Sequence, residues 1–303
     1  MEVIANTVAG KVNNRSSDRV MEIFLYIFAV FLLLILIYPL YFIIIASFSD
    51  PSAVGNGQVW LIPKGFTFDG YKELLKHENI WIGYRNTILY TVAGTAIGLV
   101  VNISAAYALS RRDLVGRKFI SLFFIFTMFF SGGLIPTFLT IRDFHMYNTF
   151  LVMVLPFSVV VYDIIVARTF FQSSIPSDLW EAAQIDGCGN LRYYALVVLP
   201  LSKAIIAVLG LWIAVGYWNS YFNALIYLKN PNLYPLQLIL RNILITNQMQ
   251  SSLGSGEAAN IALRLANMMR YSVIIVSTIP IMCVYPFLQK YFNQGVMIGA
   301  VKE

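Results

Sequence analysis

Residues 181–200 read EAAQIDGCGNLRYYALVVLP and form a polar island between two long apolar segments of the chain. The stretch has three fixed points: Glu181-Ala182-Ala183 at its start, Gly187 near its middle and Leu199-Pro200 at its end. A polar segment between two apolar runs that are each long enough to cross a bilayer indicates a loop outside the membrane. It is therefore a part of the chain that another protein can reach.

Local signals in and before this stretch predict two short helices joined at a glycine. Ser177 or Asp178 can cap the first helix, and acidic side chains suit its first turns because the helix dipole favours negative charge there. Gly187 can end this helix, since glycine adopts the left-handed cap conformation without strain. Asn190 can begin the second helix, and Pro200 marks its junction with the next apolar run. The prediction is a helix–Gly–helix knob that can lodge in a groove of another protein.

Composition places the chain in a membrane. Hydrophobic residues make up 58% and charged residues 12% of the 303 residues, about half the charged fraction of an average soluble domain. A helix of roughly 20 apolar residues crosses a bilayer, and a helix satisfies its own backbone hydrogen bonds in lipid. We therefore predict an all-α, polytopic membrane protein with six transmembrane helices, in the uncharged stretches 23–49, 86–110, 119–141, 146–162, 204–228 and 271–289.

The charge distribution predicts the orientation of these helices. The net charge of +6 comes mainly from basic residues at the predicted membrane edges, where they set topology, so we expect no nucleic-acid partner. The short segment Arg111–Lys118 holds four of them and should be cytoplasmic. The N-terminus, residues 168–203 and the C-terminus then also lie in the cytoplasm. The loops expected outside are 50–85, 142–148 and 229–270.

The sequence lacks motifs for catalysis or metal binding. Cys188, Cys283, His77 and His145 have neither the spacing of a disulfide framework nor that of a metal site. No G-x-x-x-x-G-K-[ST] phosphate loop occurs, so we expect the chain to bind no ATP. Since no nucleophile motif occurs either, we predict that the chain is not an enzyme and holds no cofactor or metal of its own.

The joint pattern of Glu-Ala-Ala, Asp-Gly and Leu-Pro in 181–200 resembles the coupling loop of the membrane subunits of ATP-binding-cassette (ABC) importers. Nearly the whole chain is similar to permeases of the carbohydrate-uptake branch, most of all to the maltose-type second permease and its complex-oligosaccharide subgroup in Gram-positive bacteria. Four further segments carry this part of the resemblance: 168–171, 216–222, 288–292 and 299–302. Glu303 stands where that ending usually has glycine.

The resemblance implies a transport subunit with several partners. The coupling loop, 172–200, would dock an ATPase dimer, which would bind the ATP and magnesium. The docking residues implied are Glu181, Ala182, Ala183, Asp186 and Gly187, and the tail residues directed toward the ATPase are Gly295, Gly299 and Lys302. The other implied partners are a second, different permease subunit (a heterodimer), an extracellular substrate-binding lipoprotein, which the last outer loop would face, and membrane lipid.

The resemblance also implies the organisation and the cargo. A cytoplasmic N-terminal segment (1–20), a six-helix permease domain (21–292) and a cytoplasmic tail (293–303) would form a multi-pass protein of the bacterial cell membrane that carries an oligosaccharide. Two alternatives stay open. An ABC importer of another solute, such as a polyamine or phosphate, would share the coupling loop. An ion-coupled secondary transporter would place coupling acids near the midplane, but the sequence offers Asp163 alone and no obvious repeat.

Candidates for a translocation path lie around the fourth and fifth predicted spans. Asp163 is the charged side chain well inside a span, and a carboxylate in a membrane is costly enough to suggest a function. A structural hydrogen bond to a neighbouring helix is the alternative. The other candidates are Tyr217, Trp218, Asn219 and Asn223. Aromatic faces suit sugar rings and amides suit hydroxyl groups, but helix packing with interhelical amide bonds explains these side chains equally well.

Overall fold

A computed structural model of the protein describes residues 16–253, 269–283 and 286. These residues form helices joined by turns, with no strand among them, which confirms the all-α prediction. The helices are α1 Ser16–Ser47, α2 Pro51–Gly55, α3 Asp69–Lys76, α4 Glu78–Ser110, α5 Arg117–Phe129, α6 Leu134–Asp143, α7 Phe150–Val154, α8 Val161–Ser174, α9 Ser177–Ile185, α10 Asn190–Tyr193, α11 Leu199–Leu201, α12 Lys203–Trp218, α13 Phe222–Tyr227, α14 Leu236–Leu253 and α15 Met269–Cys283. A π-helical turn, Tyr194–Val198, lies between α10 and α11, and a 3-10 turn, Pro231–Leu233, precedes α14.

The chain divides into two compact units, Met1–Phe68 and Asp69–Glu303. In the first unit, α1 is the long apolar helix that the sequence predicts. The chain after α1 closes on itself, because the N–H of Asp50 donates to the carbonyl of Lys64 at 2.8 Å. Three aromatic rings with centroids 5.7, 5.5 and 5.1 Å apart complete this closed turn, those of Phe48, Phe66 and Phe68.

In the second unit, α4 is the central helix. It packs against α7, α8, α12 and α14. Buried apolar side chains form three clusters beside it. One cluster surrounds Leu209 between α4, α8 and α12, a second surrounds Tyr227 beside α7 and α13, and a third surrounds Leu236 beside α3 and α14. The length of α4 therefore connects all three parts of the core.

Two glycines on α4 let other parts of the core approach its backbone closely. A Cβ atom at Gly94 would overlap the ring of Tyr217 on α12, and a Cβ atom at Gly98 would lie 3.2 Å from the carbonyl oxygen of Ser158. Small residues at four-residue spacing are a common device for close helix packing in membranes. Here this spacing serves packing within the chain.

We expect Gly94→Ala to destabilise the protein, because the new methyl group overlaps a buried aromatic ring. Overpacking of this kind costs about 1–3 kcal/mol, which a lowered thermal midpoint in detergent would report. Gly210→Ala on α12 is the matched control, since its Cβ atom would meet Leu99 at an ordinary 3.4 Å. That control should keep or slightly raise the midpoint, because alanine favours helices. Equal midpoints for Gly94→Ala and the wild type would show that α4 and α12 are not packed this closely.

Two of the described helices are long and apolar enough to cross a membrane, α4 and the Met21–Ser47 part of α1. Two bent pairs raise the number to four if each pair is one span: α5 with α6, bent by 113°, and residues 190–201 with α12, bent by 81°. Residues Leu236–Ile245 and α15 are apolar but shorter. The count of six spans and the side of the membrane on which each end lies stay predictions.

The prediction of one continuous helix over 146–162 is wrong. The structure has the short α7, an irregular break over residues 155–160, and then α8. Leu155 still has helical dihedrals, φ −75° and ψ −52°. Pro156 lacks the N–H that would continue the helical hydrogen bonds, so the first helix ends before it. Val160 then adopts an extended conformation, with φ −118° and ψ 106°, before the second helix begins.

Two other apolar runs are also interrupted. The run 119–141 is divided into two helices, because α5 ends at Phe129 and α6 begins at Leu134. Gly133 permits this break, since its φ of +85° is open mainly to glycine. The run 204–228 is divided into α12 and α13 at residues 219–221, a break that the apolar pattern does not indicate.

Candidate functional site

Residues 177–193 fold into the predicted helix–Gly–helix knob. The end of α9 is a Schellman motif, in which the two residues after the cap donate back to the last helical turn. The N–H of Gly187 donates to Gln184 at 3.0 Å, and that of Cys188 donates to Ala183 at 2.8 Å. Gly187 has a φ of +72°, as the motif requires. These bonds use carbonyls that the end of α9 leaves free, and α10 follows directly.

The beginning of α9 differs from the expectation. Its N-cap residue is Pro176, and no side chain caps the helix. The hydroxyl of Ser177 instead donates to the carboxylate of Asp178 at 3.3 Å. Asp178 still lies in the first turn, where the helix dipole favours its charge.

One face of the knob is open to water, and we call it the docking surface. Four of the five predicted docking residues are exposed and Ala183 is half-buried; the exposed ones are Glu181, Ala182, Asp186 and Gly187. Two large apolar side chains join them, Ile185 at 88% exposure and Leu191 at 84%. Exposed apolar side chains beside polar ones mark interaction sites. The sequence did not single out Leu191, because the direction of α10 depends on the turn before it.

The opposite face of the knob is anchored to the core. The ring of Trp180 meets that of Tyr193 edge-on, with centroids 5.0 Å apart. The guanidinium carbon of Arg111 lies 3.8 Å from the centre of the Trp180 ring. Arg111 also donates to both carboxylate oxygens of Asp113, at 3.0 and 2.9 Å. These hydrogen bonds hold the pKa of Asp113 below its usual range.

A buried asparagine on α4 holds the break between α7 and α8. The Nδ2 of Asn102 donates to the carbonyl of Ser158, and its Oδ1 accepts from the N–H of Val160, both at 3.0 Å. Asn102 has no exposed surface. Backbone groups outside helices need partners of this kind at membrane depth, because lipid offers none. Sequence reasoning missed Asn102, since its partners lie 56 and 58 residues away.

The two aromatic path candidates donate to backbone carbonyls of other helices. Tyr217 is 8% exposed, and its hydroxyl donates to Val154 at 2.8 Å. Val154 is the last residue of α7, so this bond satisfies a carbonyl beside the break. The indole N–H of Trp218 donates to Ser277 on α15 at 3.0 Å. In the structure both side chains therefore pack helices together.

The two amide candidates lie nearer the end of α12. Asn219 is exposed, and its Nδ2 donates to the carbonyl of Val215 at 3.0 Å. Asn223 is half-buried on α13. Unlike the two aromatic candidates, these side chains are not buried in the core, so the structure does not place all four in one environment.

Residues 94–298 match the family described as the binding-protein-dependent transport system inner membrane component. This chain belongs to that family. It is therefore a multi-pass permease subunit of an ABC importer in the bacterial cell membrane and not an enzyme. Permeases of such importers work with an ATPase, a second permease and a substrate-binding protein. The predicted family, function and location are confirmed, and the ion-coupled secondary transporter is disfavoured.

Similar proteins cover almost the whole permease. The polygalacturonan/rhamnogalacturonan transport system permease protein YtcP of Bacillus subtilis (strain 168) is 37% identical over 94% of this chain and 99% of its own length. Protein LplC of the same bacterium is 34% identical over 96% of this chain and 97% of its own. A chain in the crystal structure of a bacterial ABC transporter that imports the acidic polysaccharide alginate matches with a TM-score of 0.82 and 32% identity, over 92% of this chain and 98% of that one.

Asp163 of the permease lies in the first turn of α8, directly after the break. It is 4% exposed, and no hydrogen bond or ion pair joins its carboxylate to another of the described residues. The sequence predicts that it lies well inside a continuous span, whereas the structure places it in the first turn of a helix. The helix dipole favours a negative charge in that position. Its part in a path stays a prediction.

We expect Asp163→Asn to leave insertion and assembly of the permease intact and to lower uptake. The amide has the same shape as the carboxyl group but removes the charge, so packing around α8 should survive. Uptake per assembled complex in membrane vesicles is the measurement, and recovery of the permease from the membrane is its control. Unchanged uptake would remove Asp163 from the path.

The predicted tail residues Gly295, Gly299 and Lys302 lie outside the residues that the structure describes. Over residues 16–253, 269–283 and 286, no group of three or more His, Cys, Asp or Glu side chains is placed to hold a metal ion. The roles of the tail and of the docking surface therefore rest on the sequence pattern and are taken up as proposals.

Proposed function

We propose that this permease carries an oligosaccharide across the membrane. The support comes from the similar proteins: one is a permease for polygalacturonan/rhamnogalacturonan, and another belongs to an importer of the acidic polysaccharide alginate. Both names refer to polymers that contain acidic sugars. Oligosaccharides of acidic sugars are therefore the first class of cargo to test, whereas polyamines and phosphate find no support in these names.

The observation that carries the proposed mechanism is the docking surface, exposed on one side of a knob whose other side is anchored. Its predicted centre consists of the exposed Glu181, Ala182, Asp186 and Gly187 and of Ala183, which is half-buried and also packs toward the core. The chain runs from α8 into the knob and from the knob into α12. Movement of a docked ATPase would thus displace two core helices. Such coupling works only if docking strength or strain differs between the inward- and outward-facing states.

The proposed complex has two permeases and two copies of an ATPase. In this permease, residues 21–292 would form the six spans. The N-terminal segment 1–20 and the tail 293–303 would both lie in the cytoplasm. Gly295, Gly299 and Lys302 of the tail would reach toward the ATPase dimer, which binds the ATP and magnesium. The second permease would be a different chain, and an extracellular lipoprotein would deliver the sugar to outer loops bordered by membrane lipid.

The proposed path for the sugar runs beside the break at residues 155–160. Two observations support this position: Asp163 lies in the first turn of α8, and Tyr217 donates to the end of α7. In other transporters, irregular backbone of this kind lines a cavity. Trp218, Asn219 and Asn223 would extend the path along the end of α12 and α13. Aromatic faces and amides are the groups that sugar rings and hydroxyls require.

The test of the proposed function is uptake by the complete complex in proteoliposomes. The permease would be co-expressed with its ATPase, second permease and binding protein, and labelled oligogalacturonides would be offered with ATP inside the vesicles. We expect uptake that needs both ATP and the binding protein and that survives an ionophore. Maltooligosaccharides and a polyamine serve as comparison solutes. Uptake that ignores ATP and follows an ion gradient would overturn the proposal, and ATP-driven uptake of the polyamine alone would overturn the sugar cargo.

A further inference from the structure

The loop between α4 and α5, residues 111–116, lies against the anchored face of the knob. Arg111 is the residue that ends α4, and its guanidinium carbon is 3.8 Å from the centre of the Trp180 ring on α9. The Trp180 ring in turn meets the Tyr193 ring on α10 at 5.0 Å. One column of three side chains therefore connects the end of α4 with both helices of the knob.

The side chain of Arg111 is held in one orientation. Its Nε and Nη2 donate to the two carboxylate oxygens of Asp113, and its carbonyl accepts from Nη1 of Arg117 at 3.3 Å. Only 14% of the Arg111 side chain is exposed. A guanidinium is planar, so it donates at its edge while its face stacks on a ring. A lysine ammonium is a point charge and cannot do both.

The first helix of the knob has few other attachments. None of the residues in α9 is buried, and two of its side chains, Trp180 and Ala183, pack against the buried cluster between α4, α8 and α12. Trp180 is the larger of the two by far. The contact between Trp180 and Arg111 is therefore a main connection between α9 and the body of the permease.

We propose that Arg111 is a positioning residue for coupling: stacked on Trp180, it passes movement of the knob to the end of α4. The inference rests on the proposed docking of an ATPase at the knob. The chain itself links the knob only to α8 and α12, whereas α4 packs along α7, α8, α12 and α14. A displacement that enters α4 at Arg111 reaches the whole core of the second unit.

Variants of the two stacking partners test this role in the complete complex. Arg111→Gln removes the charge and the planar face, and Trp180→Leu removes the ring. The ratio of labelled oligogalacturonide uptake to ATP hydrolysed should fall about tenfold in each, a size between those of an exposed and a fully desolvated cation–ring contact. Recovery of the ATPase with the permease should stay normal, because neither variant changes an exposed residue of the docking surface. A merely structural defect would lower that recovery instead of the ratio.

Conservative variants and a matched control sharpen the test. Trp180→Phe keeps an aromatic face and should restore most of the ratio, whereas Arg111→Lys keeps the charge alone and should not. Arg112→Gln is the matched control, because it removes the same charge from the neighbouring, exposed residue. Its ratio of uptake to ATP hydrolysed should equal that of the wild type. The double variant Arg111→Gln with Trp180→Leu should lose no more than either single variant, because both act through one contact.

The outcomes separate this inference from the proposed function. A wild-type complex that recruits no ATPase would overturn the proposed function itself. If the wild type transports normally and Arg111→Gln keeps the ratio of Arg112→Gln, the role of Arg111 is overturned and the docking surface stands. If the Arg111→Gln variant inserts poorly into the membrane, Asp113→Asn provides a second test. It removes the carboxylate that orients Arg111 and leaves Arg111 and Trp180 themselves unchanged. It should lower the ratio as well, and an unchanged ratio would count against the inference.

Discussion

Replacing Gly187 with aspartate should abolish transport and ATPase association while insertion of the permease into the membrane stays normal. Gly187 is exposed at the turn of the knob, and a Cβ atom there would meet nothing within 4 Å. The fold therefore has room for the side chain. An ATPase docked as proposed would not have room for it, because the aspartate would add a second carboxylate beside Asp186 on the docking surface. Burying an unpaired carboxylate in an interface costs about 4 kcal/mol, or roughly a thousandfold in affinity.

The measurements are recovery of the ATPase with the affinity-purified permease and ATP-driven uptake. Gly116→Asp is the matched control, since Gly116 has a φ of +75° and equally open surroundings but lies outside the docking surface. Both changes strain the backbone by about 1 kcal/mol, so the control should assemble and transport normally. Gly187→Asn distinguishes the effect of the negative charge from that of backbone strain, because asparagine is uncharged and tolerates positive φ. This variant should keep part of the association with the ATPase. Normal transport by Gly187→Asp would count heavily against the docking role.

The knob could be predicted from the sequence because its determinants are local. Gly187 ends one helix through its own backbone freedom, and Asn190 begins the next helix a few residues later. Each signal acts within a few residues, so no knowledge of the rest of the fold is needed. Which face of the knob is exposed and which packs on the core could not be predicted in this way. Leu191 points to solvent and Trp180 points to the core because of where the loop 111–116 lies, and that position depends on tertiary packing.

The break before α8 could not be predicted because its support comes from elsewhere in the chain. Pro156 is visible in the sequence, but prolines within membrane helices often produce only a kink. Whether the chain kinks or leaves the helix depends on partners for the freed backbone groups. Here Asn102 supplies them from α4. An asparagine within an apolar run shows that a polar contact exists, but not which segment it meets.

The path residues illustrate a similar limit. Tyr217 satisfies both interpretations of the sequence, since an aromatic hydroxyl suits a sugar and also suits a buried backbone carbonyl. The structure pairs it with Val154, and it can do so because Gly94 leaves space for its ring. That arrangement joins three helices from distant parts of the sequence. Helical periodicity identifies a buried face of α12 but cannot say what that face contacts.

The largest loss of stability should follow from Asn102→Leu. Leucine has a similar volume and suits an apolar environment, so the substitution removes hydrogen bonds rather than packing. It leaves the carbonyl of Ser158 and the N–H of Val160 without the partner that each has in the structure. Both groups lie in the core, where Asn102 has no exposed surface and Ser158 is 4% exposed. An unsatisfied buried backbone group costs about 1–3 kcal/mol, so the two together cost about 2–6 kcal/mol.

The thermal midpoint of the detergent-solubilised permease is the measurement, and we expect Asn102→Leu to lower it by about 10 °C. Asn219→Leu is the matched control, because Asn219 is exposed and makes a single bond within its own helix. Its midpoint should change by less than about 2 °C. The difference between the two variants isolates the bridging role of Asn102 from the general effect of losing an amide. If both variants have the thermal midpoint of the wild type, α8 keeps its position without Asn102. The contacts of Tyr217 and Gly98 would then be what stabilises the break between α7 and α8.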